Sequence, residues 1–180
     1  MDQIRIHGRG GQGVVTASEL IAMAAFYEGK QTQAFPHFGV ERTGAPIRAY
    51  TRISNNPILT RERVYNPTIL LIQDHTLITE DPEITAGVDK NTFIIINAPK
   101  DYKLEKKLPS KKIYYSPATE IALQIFKKNI VNTVILGALA RQTGLISLES
   151  LKKAIHEKFK SKGTEIINKN IKAVTLAYKK

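Results

Sequence analysis

The string Gly8-Arg9-Gly10-Gly11-Gln12-Gly13 follows a short apolar run, Ile4-Arg5-Ile6-His7, and opens a helical pattern. A strand, a phosphate-sized turn and a helix start, in that order, can cradle an anion. Gly8, Gly10 and Gly13 match the G-x-G-x-x-G spacing, in which missing Cβ atoms let backbone N–H groups approach an anion at the positive end of a helix. In nicotinamide-binding folds a carboxylate about 20 residues further on holds the ribose. The second strand here, Gln31-Thr32-Gln33-Ala34-Phe35, has none. The spacing therefore argues against a dinucleotide and leaves two readings: an anion cradle, or a turn whose glycines only let helix and sheet pack closely.

Charge supplies a second cue. The formal net charge is +11, and the two cation types are segregated: seven of the eight arginines lie between Arg5 and Arg63, seventeen of the nineteen lysines from Lys100 onward. Lysines on helical patterns read as solvated faces without interleaved aromatics, which argues against nucleic acid. Clustered arginine differs, because the planar guanidinium fork suits phosphate or carboxylate. Arg48 and Arg52 project from one side of a predicted strand and are the arginines expected to join the glycine turn at an anion.

Catalytic machinery is sparse. The chain has no cysteine, which excludes disulfides, a thiol nucleophile and iron–sulfur ligation; His7, His37, His75 and His156 are too scattered for a zinc motif. No G-x-S-x-G elbow and no P-loop lysine motif occur. Asp74-His75, at the end of an apolar strand, is the best acid–base candidate, because strand ends in α/β sheets open onto ligand crevices, but a solvated or capping role is the favoured reading of the pair. The aromatic, glycine-bearing stretch Phe35 to Pro46 has the make-up of a contact patch, with Phe35, His37, Phe38, Glu41 and Arg42 as its candidate interface or site-facing residues.

The elements that must position these groups follow from periodicity. Val14 to Glu28 is apolar at helical spacing, with Gly29 closing it. Ile47 to Ile53 alternates, placing Ile47, Ala49, Thr51 and Ile53 on a core face and Arg48, Tyr50 and Arg52 on the other. Thr68 to Ile72 and Thr92 to Ile96 are continuous apolar runs expected of central strands covered on both sides, and Ile113-Tyr114-Tyr115 is a further strand. Helices follow over 118–126, started by Pro117, and over 133–141, begun at Asn132; Ser147 caps 148–159 and Thr164 caps 165–178. The expected architecture is a single α/β domain over 1–180: a three-layer mixed-sheet core (1–130) with a Gly-rich βα turn at its start, completed by C-terminal helices (131–180). No apolar run reaches the roughly 20 residues of a membrane span, and no signal-peptide layout opens the chain, so a cytoplasmic location is expected.

The segments Gly8 to Ala17 and Phe35 to Tyr50 closely resemble the gamma subunit of pyruvate:ferredoxin oxidoreductase and its 2-oxoacid relatives. Asn66-Pro67 and Asn132-Thr133-Val134-Ile135-Leu136-Gly137-Ala138-Leu139 also resemble family segments. The resemblance implies a subunit of an enzyme of anaerobic metabolism that oxidatively decarboxylates pyruvate to acetyl-CoA and CO2, with electrons passed to ferredoxin. It implies alpha, beta and delta partner subunits that hold thiamine diphosphate, magnesium and iron–sulfur clusters. This chain alone would bind no cofactor and be catalytically silent. Coenzyme A is the substrate it would contact, through Gly8, Gly10, Gly11, Gln12, Gly13, Arg48 and Arg52. The loop form Phe38 to Pro46 resembles the pyruvate branch. Alternatives are a 2-oxoglutarate or 2-ketoisovalerate enzyme of the same kind and a stand-alone nucleotide-binding module, and the glycine turn could face coenzyme A, phosphate or another subunit's backbone.

Overall fold

A computed structural model describes residues 1–37, 44–99, 101–104 and 107–180. Its elements are β1 (Asp2–Arg9), α1 (Val14–Tyr27), β2 (Gln31–His37), β3 (Pro46–Ser54), β4 (Ile69–Ile72), α2 (Leu77–Glu80), β5 (Phe93–Asn97), β6 (Lys112–Ser116), α3 (Ala118–Phe126), α4 (Val134–Thr143), α5 (Leu148–Phe159) and α6 (Thr164–Lys179), with a 3-10 turn at Lys160–Lys162. One six-stranded sheet has the order β2-β3-β1-β4-β5-β6. Strands β1, β4, β5 and β6 run parallel, while β3 is antiparallel to both β1 and β2. The mixed sheet expected from the sequence is present.

The period-2 alternation of the strands splits the core in two. Ile4, Ile6, Ala49, Ile53, Ile69, Leu71 and Ile95 face a layer of α1 and α3 to α6. Leu70, Ile72, Ile94 and Ile96 face the other way, onto Leu77 and Ile78 of α2 and onto Ile84 and Leu108. Strand β4, and β5 up to Asn97, are thus continuously apolar because both faces are covered. The second cover is thin, a single short helix and irregular chain. The C-terminal helices share the first core: α4 is buried along Val134 to Ala140. Gly137 lets it lie against α6, since a Cβ there would collide with the Val174 carbonyl oxygen and stand 2.7 Å from Tyr178 N.

Several boundaries differ from the expected ones for local reasons. β2 extends through His37, in register with Arg48 of β3, so His37 belongs to a strand rather than a loop. Ser147 caps α5 by accepting from Ser150 N at 3.1 Å, as its sequence suggests. Thr164 does not cap α6; it is the first helical residue, after Gly163 at φ 92°. Pro117 stands at the N-cap of α3, one position before its expected place, and Thr133 rather than Asn132 is the N-cap of α4. No helix of the described residues is long and apolar enough to cross a membrane.

Candidate anion site at the strand ends

The chain after β1 enters α1 on one face of the sheet, and the chain after β4 enters α2 on the opposite face. Between two adjacent parallel strands whose connections diverge in this way, a crevice opens at the carboxyl ends. The glycine turn and residues 73–76 meet there. Gly8 packs tightly, since a Cβ would lie 2.6 Å from Val14 Cγ2 and 3.1 Å from Gln73 Oε1. Gly13, at φ 71°, is the N-cap of α1, and a Cβ there would run into the Asn132 amide. Gly10 is tied to the next hairpin: its N–H donates to the Ala45 carbonyl (2.8 Å) and its own carbonyl accepts from Gly44 N (3.1 Å). Gly11 differs from all three. It has φ 92° and open space around the position a Cβ would take.

The surroundings of the turn contain polar atoms with no partner. No side chain caps the first turn of α1. Both amide atoms of Gln73 and the Oδ1 of Asn132 are buried without a hydrogen bond, although Gln73 is 1% exposed and Asn132 8%. Burying such groups unpaired costs about 1–3 kcal/mol each, which a ligand or water bonded there would recover.

Asp74 and Arg9 form the crevice's opposite wall. Arg9 donates through Nε to Asp74 Oδ2 (2.9 Å) and through Nη2 to Thr76 Oγ1 (2.6 Å) and Glu80 Oε2 (2.8 Å). Gln12 donates to the same Asp74 oxygen at 3.3 Å and accepts from Arg9 N at 2.8 Å. Burial pushes the Asp74 carboxyl upward, but hydrogen bonds from Thr76 and Arg9 outweigh it and hold the group below the usual carboxylate range. Asp74 is therefore a fixed anion that orients Gln12 and Arg9. That arrangement corrects the acid–base reading, because a carboxylate pinned in its charged form has little basicity to offer. His75 turns away, with Nδ1 3.3 Å from the Asn97 carbonyl and its ring edge-on to Tyr102 at 4.7 Å.

The two arginines do not converge on the turn. Gly8 pairs with Ile47, but Arg52 pairs with Gln3. Five residues of strand put Arg52 about 16 Å from Gly8. Arg52 is 1% exposed; it donates to Gln3 Oε1 (3.1 Å), Gln33 Oε1 (2.9 Å) and the carbonyls of Glu62 and Arg63. Arg48 is beside His7 in register, yet on the sheet face away from α1, where it donates to both Asp81 oxygens at 3.0 Å and to Glu83 Oε2 at 2.8 Å. The expectation that both arginines share an anion with the glycine loop is corrected: strand alternation sends them to the other face, and acceptors on that face occupy them. Phe35 and His37 pack on Tyr50, with ring centroids at 5.2 and 6.1 Å. Phe38, Glu41 and Arg42 lie outside the described residues.

Among the described residues no group of three or more His, Asp or Glu side chains is arranged to hold a metal. With no cysteine in the chain, an iron–sulfur cluster has no thiolate here. The sequence profile of the pyruvate ferredoxin/flavodoxin oxidoreductase family matches residues 3–180. The chain belongs to that family.

Relatives agree along the whole length. The common gamma subunit of the pyruvate/ketoisovalerate oxidoreductases of Pyrococcus furiosus is 45% identical over 183 residues, covering 100% of this chain and 97% of the relative. Pyruvate synthase subunit PorC of Methanocaldococcus jannaschii is 48% identical over 178 residues, covering 99% and 96%. The crystal structure of pyruvate oxidoreductase subunit PORC from Thermotoga maritima superposes with a TM-score of 0.85 at 40% identity, covering 99% of this chain and 96% of that one.

Sequence reasoning missed one cluster of this family member altogether. Arg5, His7, Arg48, Asp81 and Glu83 meet on the sheet face away from α1. His7 Nδ1 lies 3.4 Å from Asp81 Oδ2. Burial pushes His7 down to about 4, against the upward pull of its Asp81 contact, so the imidazole is neutral. The His7 contact and the Arg48 guanidinium, against burial, hold Asp81 far below the usual carboxylate range. The signal was available in β1, where Gln3, Arg5, His7 and Arg9 alternate with Ile4 and Ile6. A polar stripe of that period marks a second face.

Proposed function

We propose that this chain, a gamma subunit of a pyruvate:ferredoxin oxidoreductase, performs no bond-making step itself and offers the outer side of its glycine turn to the phosphates of coenzyme A. The enzyme converts pyruvate and coenzyme A to acetyl-CoA and CO2 and passes two electrons to ferredoxin. Thiamine diphosphate, magnesium and iron–sulfur clusters belong to partner alpha, beta and delta subunits, and the assembly works in the cytoplasm. What this chain supplies is an anion-facing surface. Gly11 carries the reading: its left-handed backbone and open surroundings leave room for a phosphate beside the uncapped first turn of α1. Gln12, oriented by Asp74 and the Arg9 backbone, and the unpartnered Nε2 of Gln73 supply further hydrogen-bond donors.

A helix N-terminus is worth about 0.3–1 kcal/mol toward an exposed anion, and a hydrogen bond to a charged group about 1.5–3 kcal/mol. Losing one such contact should weaken affinity about tenfold. Gly11→Val in the assembled enzyme is expected to raise the Michaelis constant for coenzyme A by that factor and to leave pyruvate decarboxylation unchanged. A complex of normal assembly and melting temperature whose coenzyme A dependence is unaltered would remove this site from the chain and assign coenzyme A to the neighbouring subunits. A second reading concerns the 2-oxoacid. The Pyrococcus relative is named a subunit common to pyruvate and ketoisovalerate enzymes, so this chain can serve more than one catalytic pair. Co-purification with two different thiamine diphosphate subunits would establish it.

A further inference from the structure

The sheet face away from α1 carries a second pocket, about 190 Å3 in volume, between β1, β3 and the chain around residues 63–65 and 83–86. Its polar lining is Arg5, Arg48, Tyr50, Arg63, Tyr65 and Glu83. Three guanidinium groups thus face one pocket carboxylate, with Asp81 behind Arg48 as the second acid.

Each arginine has a distinct role. Arg5 builds the walls, donating through Nη1 to the carbonyls of Val64 (3.5 Å) and Tyr65 (3.3 Å) and through Nη2 to those of Ile84 (3.0 Å) and Ala86 (2.7 Å). It is 5% exposed, and its Nε is buried with no hydrogen-bond partner. Arg48 is held from behind by Asp81, which is buried, and from the front by Glu83, whose side chain is 69% exposed and free to swing into water. The exposed Arg63 side chain has no hydrogen bond or ion pair among the described residues. Tyr50 is 3% exposed, and its hydroxyl likewise has no hydrogen-bond partner among them.

We propose that this pocket is a binding site for one small oxyanion, a phosphoryl or carboxylate group, held between the Arg63 and Arg48 guanidinium groups and the Tyr50 hydroxyl. Guanidinium forks match the geometry of both oxyanions, and charge-assisted hydrogen bonds to them are about twice as strong as neutral ones. Size suits such an occupant: about 190 Å3 accommodates a phosphate with some hydration and lies below the roughly 300–1,000 Å3 of sites that take drug-sized ligands. The electrostatics agree. Burial, with Arg48 nearby, lowers the proton affinity of Arg5, and an anion would relieve that strain. Glu83 acts as a resident competitor, a carboxylate of this chain occupying one arm of Arg48 until a ligand displaces it. The site is separate from the glycine turn, which leads into α1 on the opposite face.

Isothermal titration of the full chain with inorganic phosphate, and separately with acetate, at pH 7.5 in 0.15 M sodium chloride tests the assignment. Saturable one-to-one binding is expected, weakened at least tenfold by Arg63→Gln, weakened several-fold by Tyr50→Phe and strengthened several-fold by Glu83→Gln. Arg63 and Glu83 are solvent-exposed side chains, so those variants should fold; unchanged melting temperatures check this. Preference for phosphate identifies a phosphoryl group as the occupant, and preference for acetate a carboxylate. Absence of saturable binding of either anion overturns the proposal. So does binding indifferent to both Arg63→Gln and Glu83→Gln, or binding abolished by Gly11→Val, which would place the anion at the glycine turn.

Discussion

Lowering the pH from 7 to 5 should destabilise this protein chiefly through one residue, His7. It is 1% exposed, between Arg48 and Ile72 in register, and faces Asp81, Arg5 and Arg48. Burial, reinforced by the two arginines, lowers its folded pKa from 6.5 to about 4, and the hydrogen bond to Asp81 reverses only part of that shift. The unfolded chain binds a proton below pH 6.5 that the folded chain refuses, so stability falls as pH drops and levels off only below the folded value. Linkage gives a loss of about 0.2 kcal/mol at pH 7 and about 2 kcal/mol at pH 5, on the way to about 3 kcal/mol in strong acid. Asp81, depressed in the folded state, contributes with the same sign but only below its unfolded value near 3.8, outside this window. His37 is also lowered, first by burial and then by Arg63 and Arg48, and adds a smaller loss. Urea denaturation of the full chain followed by circular dichroism at pH 7 and pH 5, for wild type and His7→Gln, isolates the effect. Glutamine keeps a donor for Asp81 and cannot titrate. Wild type is expected to lose about 2 kcal/mol more than the variant across the interval, a difference of roughly 4–8 °C in melting temperature for a chain of this size. Equal losses in the two proteins, or an NMR titration showing His7 protonated near pH 6.5 in the folded state, would refute the reasoning.

Two further outcomes probe the packing that holds the sites. Arg52→Ala should destabilise the chain by about 3 kcal/mol or more, because the glutamine and carbonyl oxygens around it lose a buried charged donor; Arg52→Lys should rescue little, since one ammonium cannot span that set of acceptors, and thermal melts decide both. Gly137→Ala should cost more than about 2 kcal/mol by forcing α4 from the α6 backbone, whereas Gly144→Ala, with φ 62° and open space, should cost only the left-handed strain of about 1–2 kcal/mol, a contrast measurable by denaturant titration.

What the sequence determined by itself was local or periodic. The apolar runs of β4 and β5, the cap at Ser147, the glycine turn between β1 and α1 and the absence of cysteine chemistry were legible, because each depends on neighbours a few residues apart. Residue resemblance reached further and named the family. The tertiary structure decided which face each side chain serves and which distant groups meet it. The alternation of β3 predicted a stripe of Arg48, Tyr50 and Arg52, and the stripe exists; its meaning changed because residues 60–88 fold over it, burying Arg52 under backbone carbonyls and pairing Arg48 with Asp81 and Glu83. Asp74 likewise read as either a strand-end acid or a solvated or capping residue, and the clamp of Arg9 and Thr76 decides against the acid. Those partners are 65 and 2 residues away, and the distant one set its charge state. Charge pairing and burial depend on distances in space, which sequence spacing does not encode beyond a helical turn or the next strand residue, so the oxyanion pocket and the neutral His7 emerged only when the sheet brought its strands together.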